Sequence, residues 1–476
     1  MAQTDLYHLI ENPEVLKEHG QDFGRIQFSN PLGVLRPTSV QELQSLIVDL
    51  TKKKIRVNIQ GSAHTANGQS QCDQGVVIDL KSFNQVVQTG YDQDPPWINV
   101  QAGILWEEVL KHSLAHGLTP PTTTDWQKLS VGGTLSTGGV GFMSYQKGIQ
   151  ADQVLELEVV TADGEHLVCS HNKNKRLFNL VRAGFGQFGW ITHAKLKLEK
   201  APKYLEVLQC FCDSSKNFHQ LIETLVQDAY FDCIHAFLIP KSLDEMKKKV
   251  SNSDHNALEK TWDQDQKATP QWIYFIELAK YRNHANPDPE VLKKIDLSLI
   301  WNNFLTQNRE SFFDYIHKEP PLIEIQKKLG NLAHPELAIL HPANHFVSWM
   351  DDFIMNLKIK DMGGGPILII PLLSDKIHCP LFRHPIKGMF YFIGILRVED
   401  QNSPTRLKIL QQKNLELYQK SIQKGGFRYP CDSLEQPNCP KEWRIHFGEE
   451  TWKKIEEGKK IFNSNHILTN SLGWFD

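Results

Sequence analysis

The chain has 476 residues, 40% hydrophobic and 22% charged, an ordinary globular composition that allows two or three domains. Its formal net charge of −3 gives no electrostatic case for binding nucleic acid or an anionic membrane. The first twenty residues hold acids and no apolar run, and the apolar runs near 366–373 and 389–396 are too short to span a bilayer, so a soluble, cytoplasmic protein is expected. Eight cysteines in a chain this long do not make a disulfide scaffold; reduced thiols are expected, although Cys431 and Cys439 share a loop and can meet.

Residues 39–50 read as a helix. Ser39 with Glu42 three residues on forms a capping box, and Leu43, Leu46, Ile47 and Leu50 recur on one face. Ile55, Val57 and Ile59 then alternate as a half-buried strand. That strand delivers the chain to GSAHTANGQ at 61–69. Its lone ring, His64, can serve as a base, a metal ligand or a nucleophile, or can bond nearby backbone. Residues 76–80 read as a buried strand, Ile98 and Val100 lie in another, and 105–114 read as a helix ended by Gly117. His112 and His116 have the spacing of a metal pair but no third ligand nearby, so they read as a solvated face. His341 and His345 repeat that spacing around Pro342, and no metal is expected.

The stretch TTTDWQKLSVGGTLSTGGVG, 122–141, sets one acid, Asp125, before five glycines and several small hydroxyls. Glycine lets backbone approach a ligand closely, and small hydroxyls with free N–H groups suit a pyrophosphate. The stretch reads either as a carboxylate beside a large phosphate-bearing cofactor or as a glycine-rich turn capped by Asp. Residues 154–160 read as a strand, Asp163-Gly164 as a hairpin turn, and 166–169 as the return. A short helix at 178–181 precedes AGFGQFGWIT, a second glycine-rich turn that enters a strand. Ala201-Pro202 marks a domain boundary. Beyond it CIHAFLIP, QWIYFIEL, 363–373 and 389–396 read as strands, 251–271 as a mobile polar loop, and 404–424 as a helix. This section reads as an antiparallel sheet with helices, an α+β arrangement.

Taken together, GSAHTANGQ, TTDW, SVGGTLSTGG and GFGQFGWIT resemble the vanillyl-alcohol-oxidase type of FAD flavoproteins and, within it, the cytokinin dehydrogenases. DFG…VLRPTSV at 22–40, HP at 341–342, GPILI near 365, and W-x-x-HFG at 443–448 followed by Trp452 extend the likeness over nearly the whole chain. The resemblance implies a two-domain α+β FAD-binding PCMH-type fold. Residues 1–202 would form the main part of the FAD-binding domain, 203–428 an antiparallel-sheet-plus-helices substrate domain, and 429–476 a return to the first domain.

The resemblance further implies FAD attached covalently through His64. Other cofactor contacts would come from Gly61, Ser62, Ala63, Thr65, Gln69, Asp125, Ser130, Gly132, Gly133, Ser136, Val140, Ile191, Tyr391 and Thr469. Asp125 would be the catalytic acid facing the substrate amine. The implied reaction oxidises the secondary amine side chain of N6-substituted adenines by hydride transfer to flavin, and the imine hydrolyses to adenine and an aldehyde. A quinone or oxygen would accept the electrons, and the protein would be a monomer or dimer. A related flavin enzyme acting on another amine, an alcohol or a sugar would share the same loops. Three departures stand out. Ala63 replaces the usual glycine before the flavin histidine. His235 stands where a purine-binding acid is usual, which makes it the expected substrate-binding residue. HPANH replaces HPWLN, so an aromatic wall is expected to be missing.

Overall fold

The computed structural model describes residues 8–265, 271–283, 288–318, 330–434, 439–468 and 472–475. A parallel three-stranded sheet comes first, in the order Gly33–Leu35, Val76–Asp79, Val57–Gln60. Helix Val40–Lys52 crosses over it and buries Leu43, Leu46, Ile47 and Leu50 against Val57, Val76 and Ile78. Each such aliphatic side chain stabilises by roughly 1.5–3 kcal/mol. The expected cap is half realised. Ser39 accepts from the Glu42 N–H at 3.2 Å, but the Glu42 carboxylate reaches Thr38 N at 2.7 Å instead of Ser39.

An antiparallel five-stranded sheet follows, ordered Val86–Gly90, Trp97–Gln101, Trp190–Lys197, Val154–Val160, His166–Ser170. The third sheet has eight strands, ordered Leu305–Ser311, Tyr204–Cys212, Trp272–Arg282, Cys233–Pro240, Ile367–Leu373, Met389–Ile395, Leu337–Pro342, Phe427–Arg428. Successive side chains of a strand face opposite ways, and that parity organises the fold. Ile367, Ile369, Tyr391, Ile393 and Ile395 pack with Phe218, Leu221, Phe346 and Met350 of helices Ser215–Asp228 and Phe346–Asn356. Leu368, Ile370, Phe390 and Phe392 face the other way and share a core with Val100, Leu135, Leu157 and Ile191.

Two expectations are corrected. Residues 131–137 form a helix, Val131–Thr137, inside the stretch whose alternative reading is a glycine-rich turn capped by Asp. Within the span read as mobile, His255–Asp263 is a helix that buries Leu258 against Phe211, Ile239 and Met246. Its single buried apolar residue leaves no periodicity to read. All eight cysteines are free, with Cys431 half-buried and Cys439 exposed. Among the described residues no helix is long and apolar enough to cross a membrane, and no group of His, Cys, Asp and Glu is placed to hold a metal ion.

Helices Pro440–Phe447 and Glu449–Phe462 return to the first part of the chain, where Trp443, Phe447, Trp452 and Ile455 join the core of Val159 and Phe178. Val57 N donates to Ile467 O at 2.8 Å, extending the first sheet with late residues. Asn463, fully buried, secures this closure. Its Nδ2 donates to Gln187 O at 3.1 Å and Leu468 O at 3.0 Å, and its Oδ1 accepts from Leu468 N at 3.3 Å. Asn463→Leu strands these backbone groups, and a buried unpaired polar group costs about 1–3 kcal/mol. The variant is expected to unfold at a midpoint several degrees below wild type, read by circular dichroism; an unchanged midpoint counts against this role.

Candidate active site

The sheets meet around a cavity of about 320 Å³. Its walls come from the loop at 61–70, the stretch 124–142, the turn at 185–191, residues 336–338 and 429–432, and the inward parity of the large sheet, Leu368, Ile370, Phe392 and Gly394.

The His64 loop leaves the strand Val57–Gln60 and is held from outside by residues 22–25. Phe23 N donates to Ala63 O and Gly24 N to Thr65 O, each at 2.9 Å. Asp22 Oδ2 accepts from Thr65 Oγ1 at 2.8 Å and Gly68 N at 2.6 Å. The Phe23 ring lies 4.0 Å from that of His64 on one side and 4.0 Å from that of His334 on the other. His64 lines the cavity away from bulk solvent, and that desolvation pushes its pKa down to about 4. The ring is therefore neutral near pH 7, and a neutral imidazole nitrogen is nucleophilic. Ala63 has φ +52°, a left-handed conformation that disfavours a Cβ, which explains why glycine suits this position better.

Asp125 lies on the loop before helix Val131–Thr137. Thr122 Oγ1 donates to Gly148 O at 3.0 Å, and Gln127 Nε2 donates to Thr124 O at 2.5 Å, so both flanks are fixed. Gly141 packs against the same loop: a Cβ there would sit 1.8 Å from Thr123 O. Burial raises the Asp125 pKa, partly opposed by hydrogen bonds from its own N–H and that of Trp126. Two more acids line the same cavity. Asp432 is bound by Arg428, with Nη2 to Oδ1 at 2.7 Å, yet burial still holds its pKa up. Glu336 lines the cavity, and burial together with the charges of Asp125 and Asp432 raises it to about 8.

The expected residues Gly61, Ser62, Ala63, His64, Thr65, Gln69, Asp125, Ser130, Gly132, Gly133, Ser136, Val140 and Ile191 all line this cavity. Some of their polar groups are committed to the protein itself. Gln69 Nε2 donates to Asp432 O at 2.8 Å and Pro430 O at 3.1 Å, and Ser62 Oγ accepts from Ser130 N at 3.0 Å. Thr469 lies outside the described residues.

Tyr391 is a correction. Strand parity turns it to the far face, where its hydroxyl bonds His219 Nδ1 at 2.8 Å and its ring packs on Phe346. His235 is another. It stands one ring behind the cavity, stacked on the wall residue Phe142 at 3.8 Å, with Nε2 3.6 Å from Glu277 Oε1. The HPANH segment is turned away too. His341 bonds Ser421 Oγ at 2.8 Å, and Ala343 packs in the helix-covered core, so no wall of this cavity is lost there.

Sequence reading missed Phe23, Phe142, Glu336, Asp432, Leu368, Ile370 and Phe392. The last three carry a signal in the period-2 parity of their strands. Glu336, alone after Pro335, carries none.

A model of an FAD binding domain matches residues 31–170, and one described as cytokinin dehydrogenase 1, FAD and cytokinin binding, matches 202–475. Cytokinin dehydrogenase 8 of Oryza sativa subsp. indica is 29% identical over 503 aligned residues, covering 100% of this chain and 94% of that protein. Cytokinin dehydrogenase 3 of Oryza sativa subsp. japonica is 30% identical, covering 95% of this chain and 88% of its own. A further relative, the uncharacterized oxidoreductase ORF5 in the fasciation locus of Rhodococcoides fascians, is 28% identical, with 95% of each chain covered.

The cavity suits an FAD. Among the described residues the backbone N–H groups of Ser62, Ala63 and His64 have no acceptor, and unpaired N–H groups lining a cavity favour an anionic or carbonyl partner. Gly141→Ala is expected to lose about 3 kcal/mol, as overpacking against backbone does, and to retain less FAD on gel filtration. Gly117→Ala, left-handed at φ +68° with open space around it, serves as control and costs about 1 kcal/mol. Equal losses in the two variants contradict the packing argument.

Proposed function

The chain belongs to the cytokinin dehydrogenase family, and from that membership we propose that it oxidises the secondary amine side chain of N6-substituted adenines, with FAD tethered through His64. Residues 1–202 and 429–476 form the FAD-binding part, and 203–428 the substrate part. One observation supports the reading above others: a neutral imidazole and a desolvated carboxyl, His64 and Asp125, open on the same cavity.

Bound there, FAD supplies a two-electron acceptor for hydride. The residues of the chain do the rest. The Phe23 stack holds the His64 ring in one orientation. Asp125 accepts the hydrogen bond of the amine N–H and takes its proton as the neighbouring C–H bond is oxidised. Its raised pKa brings it closer to the operating pH, which suits a general base. Leu368, Ile370 and Phe392 offer an apolar wall to the alkenyl or aryl substituent. Water then adds to the imine, which breaks into adenine and an aldehyde. A quinone or oxygen restores the cofactor.

Anaerobic mixing with isopentenyladenine is expected to bleach the oxidised flavin band. Asp125→Asn keeps its FAD and slows bleaching by about 10²–10⁴, the usual contribution of a general base. Normal bleaching in that variant removes Asp125 from the chemistry. Acid-precipitated wild type stays yellow, whereas His64→Ala releases its colour to the supernatant. A colourless wild-type pellet rules out the tether.

A further inference from the structure

Glu336 is the acid that sequence reading did not single out. It follows the short strand Leu332–Ala333 and opens the strand Leu337–Pro342. Its backbone is fixed: Glu336 O accepts from Ser433 N at 3.0 Å and Ser433 Oγ at 2.8 Å. Its side chain is not. Oε1 is buried with no hydrogen-bond partner among the described residues, and the nearest basic atom, His334 Nδ1, is 3.7 Å away. The carboxyl lines the same cavity as Asp125, within reach of the Asp125 charge.

The groups around it do not supply a counter-charge. His334 is stacked on Phe23, and burial with the nearby His64 and Arg25 pushes its pKa down to about 3, so it is neutral. Arg428 faces Asp432, to which it is bound. Asp125 and Asp432 are both acids, and each opposes a charge on Glu336. A buried carboxyl among acids keeps its proton. A neutral carboxyl has what Asp125 lacks when ionised: an O–H donor beside a carbonyl acceptor.

Resting on the function proposed above, we propose that Glu336, in its protonated form, is a recognition residue for the heteroaromatic base: its O–H donates to a ring nitrogen while Asp125 takes the exocyclic amine. A purine ring nitrogen is an acceptor, which an ionised carboxylate repels. Loss of the Glu336 proton therefore removes the donor and sets a second negative charge beside Asp125. Binding of the base is strong below the Glu336 pKa and declines above it.

The test is the affinity of the FAD-loaded protein for adenine, by titration calorimetry at pH 7 and pH 9. With a pKa of about 8, simple linkage weakens wild-type binding about tenfold across that interval. Glu336→Gln keeps an N–H donor and cannot ionise, so its affinity is expected to be flat over the same range. Wild-type affinity that does not change, or an equal fall in Glu336→Gln, overturns the assignment. The two readings fail separately. Bleaching by isopentenyladenine together with pH-independent adenine binding sinks the role of Glu336 alone. Absence of adenine binding at pH 7 also sinks the role of Glu336, whereas absence of bleaching by isopentenyladenine sinks the proposed function.

Discussion

Two hydrogen bonds to a single carboxylate oxygen hold the site in register. Asp22 Oδ2 receives Thr65 Oγ1 and Gly68 N, and the next two residues bond the backbone of Ala63 and Thr65. The same segment continues to the other wall, where Gly24 O accepts from His334 N at 2.8 Å. A short strap thus couples the His64 loop to the stretch that carries Glu336. The arrangement is costly, since burial lifts the Asp22 pKa to about 6. Fixed partners on the loop offset that cost, because a carboxylate answered by two donors is worth more than either bond alone.

The cavity concentrates acids where little solvent reaches them. Asp125, Glu336 and Asp432 all have raised pKa values, and desolvation is the leading cause in each case. Crowding makes them unlike one another. Arg428 stabilises the charge on Asp432, while Glu336 has only acids and neutral rings beside it. Like charges that share a low-dielectric space separate their titrations, so neighbouring carboxyls of one chemical type take different protonation states at one pH. The neutral His64 fits the same logic: the burial that suppresses carboxylate charge suppresses imidazolium charge.

Much of this was legible from local pattern. Leu43, Leu46, Ile47 and Leu50 announced their helix by spacing, and CIHAFLIP marks the strand Cys233–Pro240 end to end. The loops holding His64 and Asp125 were legible because small residues cluster there, where backbone must come close to a ligand. The residues that misled did so for two physical reasons. Tyr391 sits on a strand, and a strand sends neighbouring side chains to opposite faces, so it reaches the helix-covered core. His235 has the parity of Phe237, which pairs with the wall residue Leu368, but the Phe142 ring stands between it and the cavity. Glu336 and Phe23 gave no warning because neither belongs to a periodic element. Each is brought to the cavity by backbone pairing between distant segments, which local sequence does not encode.

The bond from Val57 to Ile467 joins the second strand of the first sheet to residues some four hundred positions later. A ribosome delivers Val57 long before Ile467. The nascent strand that leads to the His64 loop therefore goes without this neighbour until the later segment has emerged.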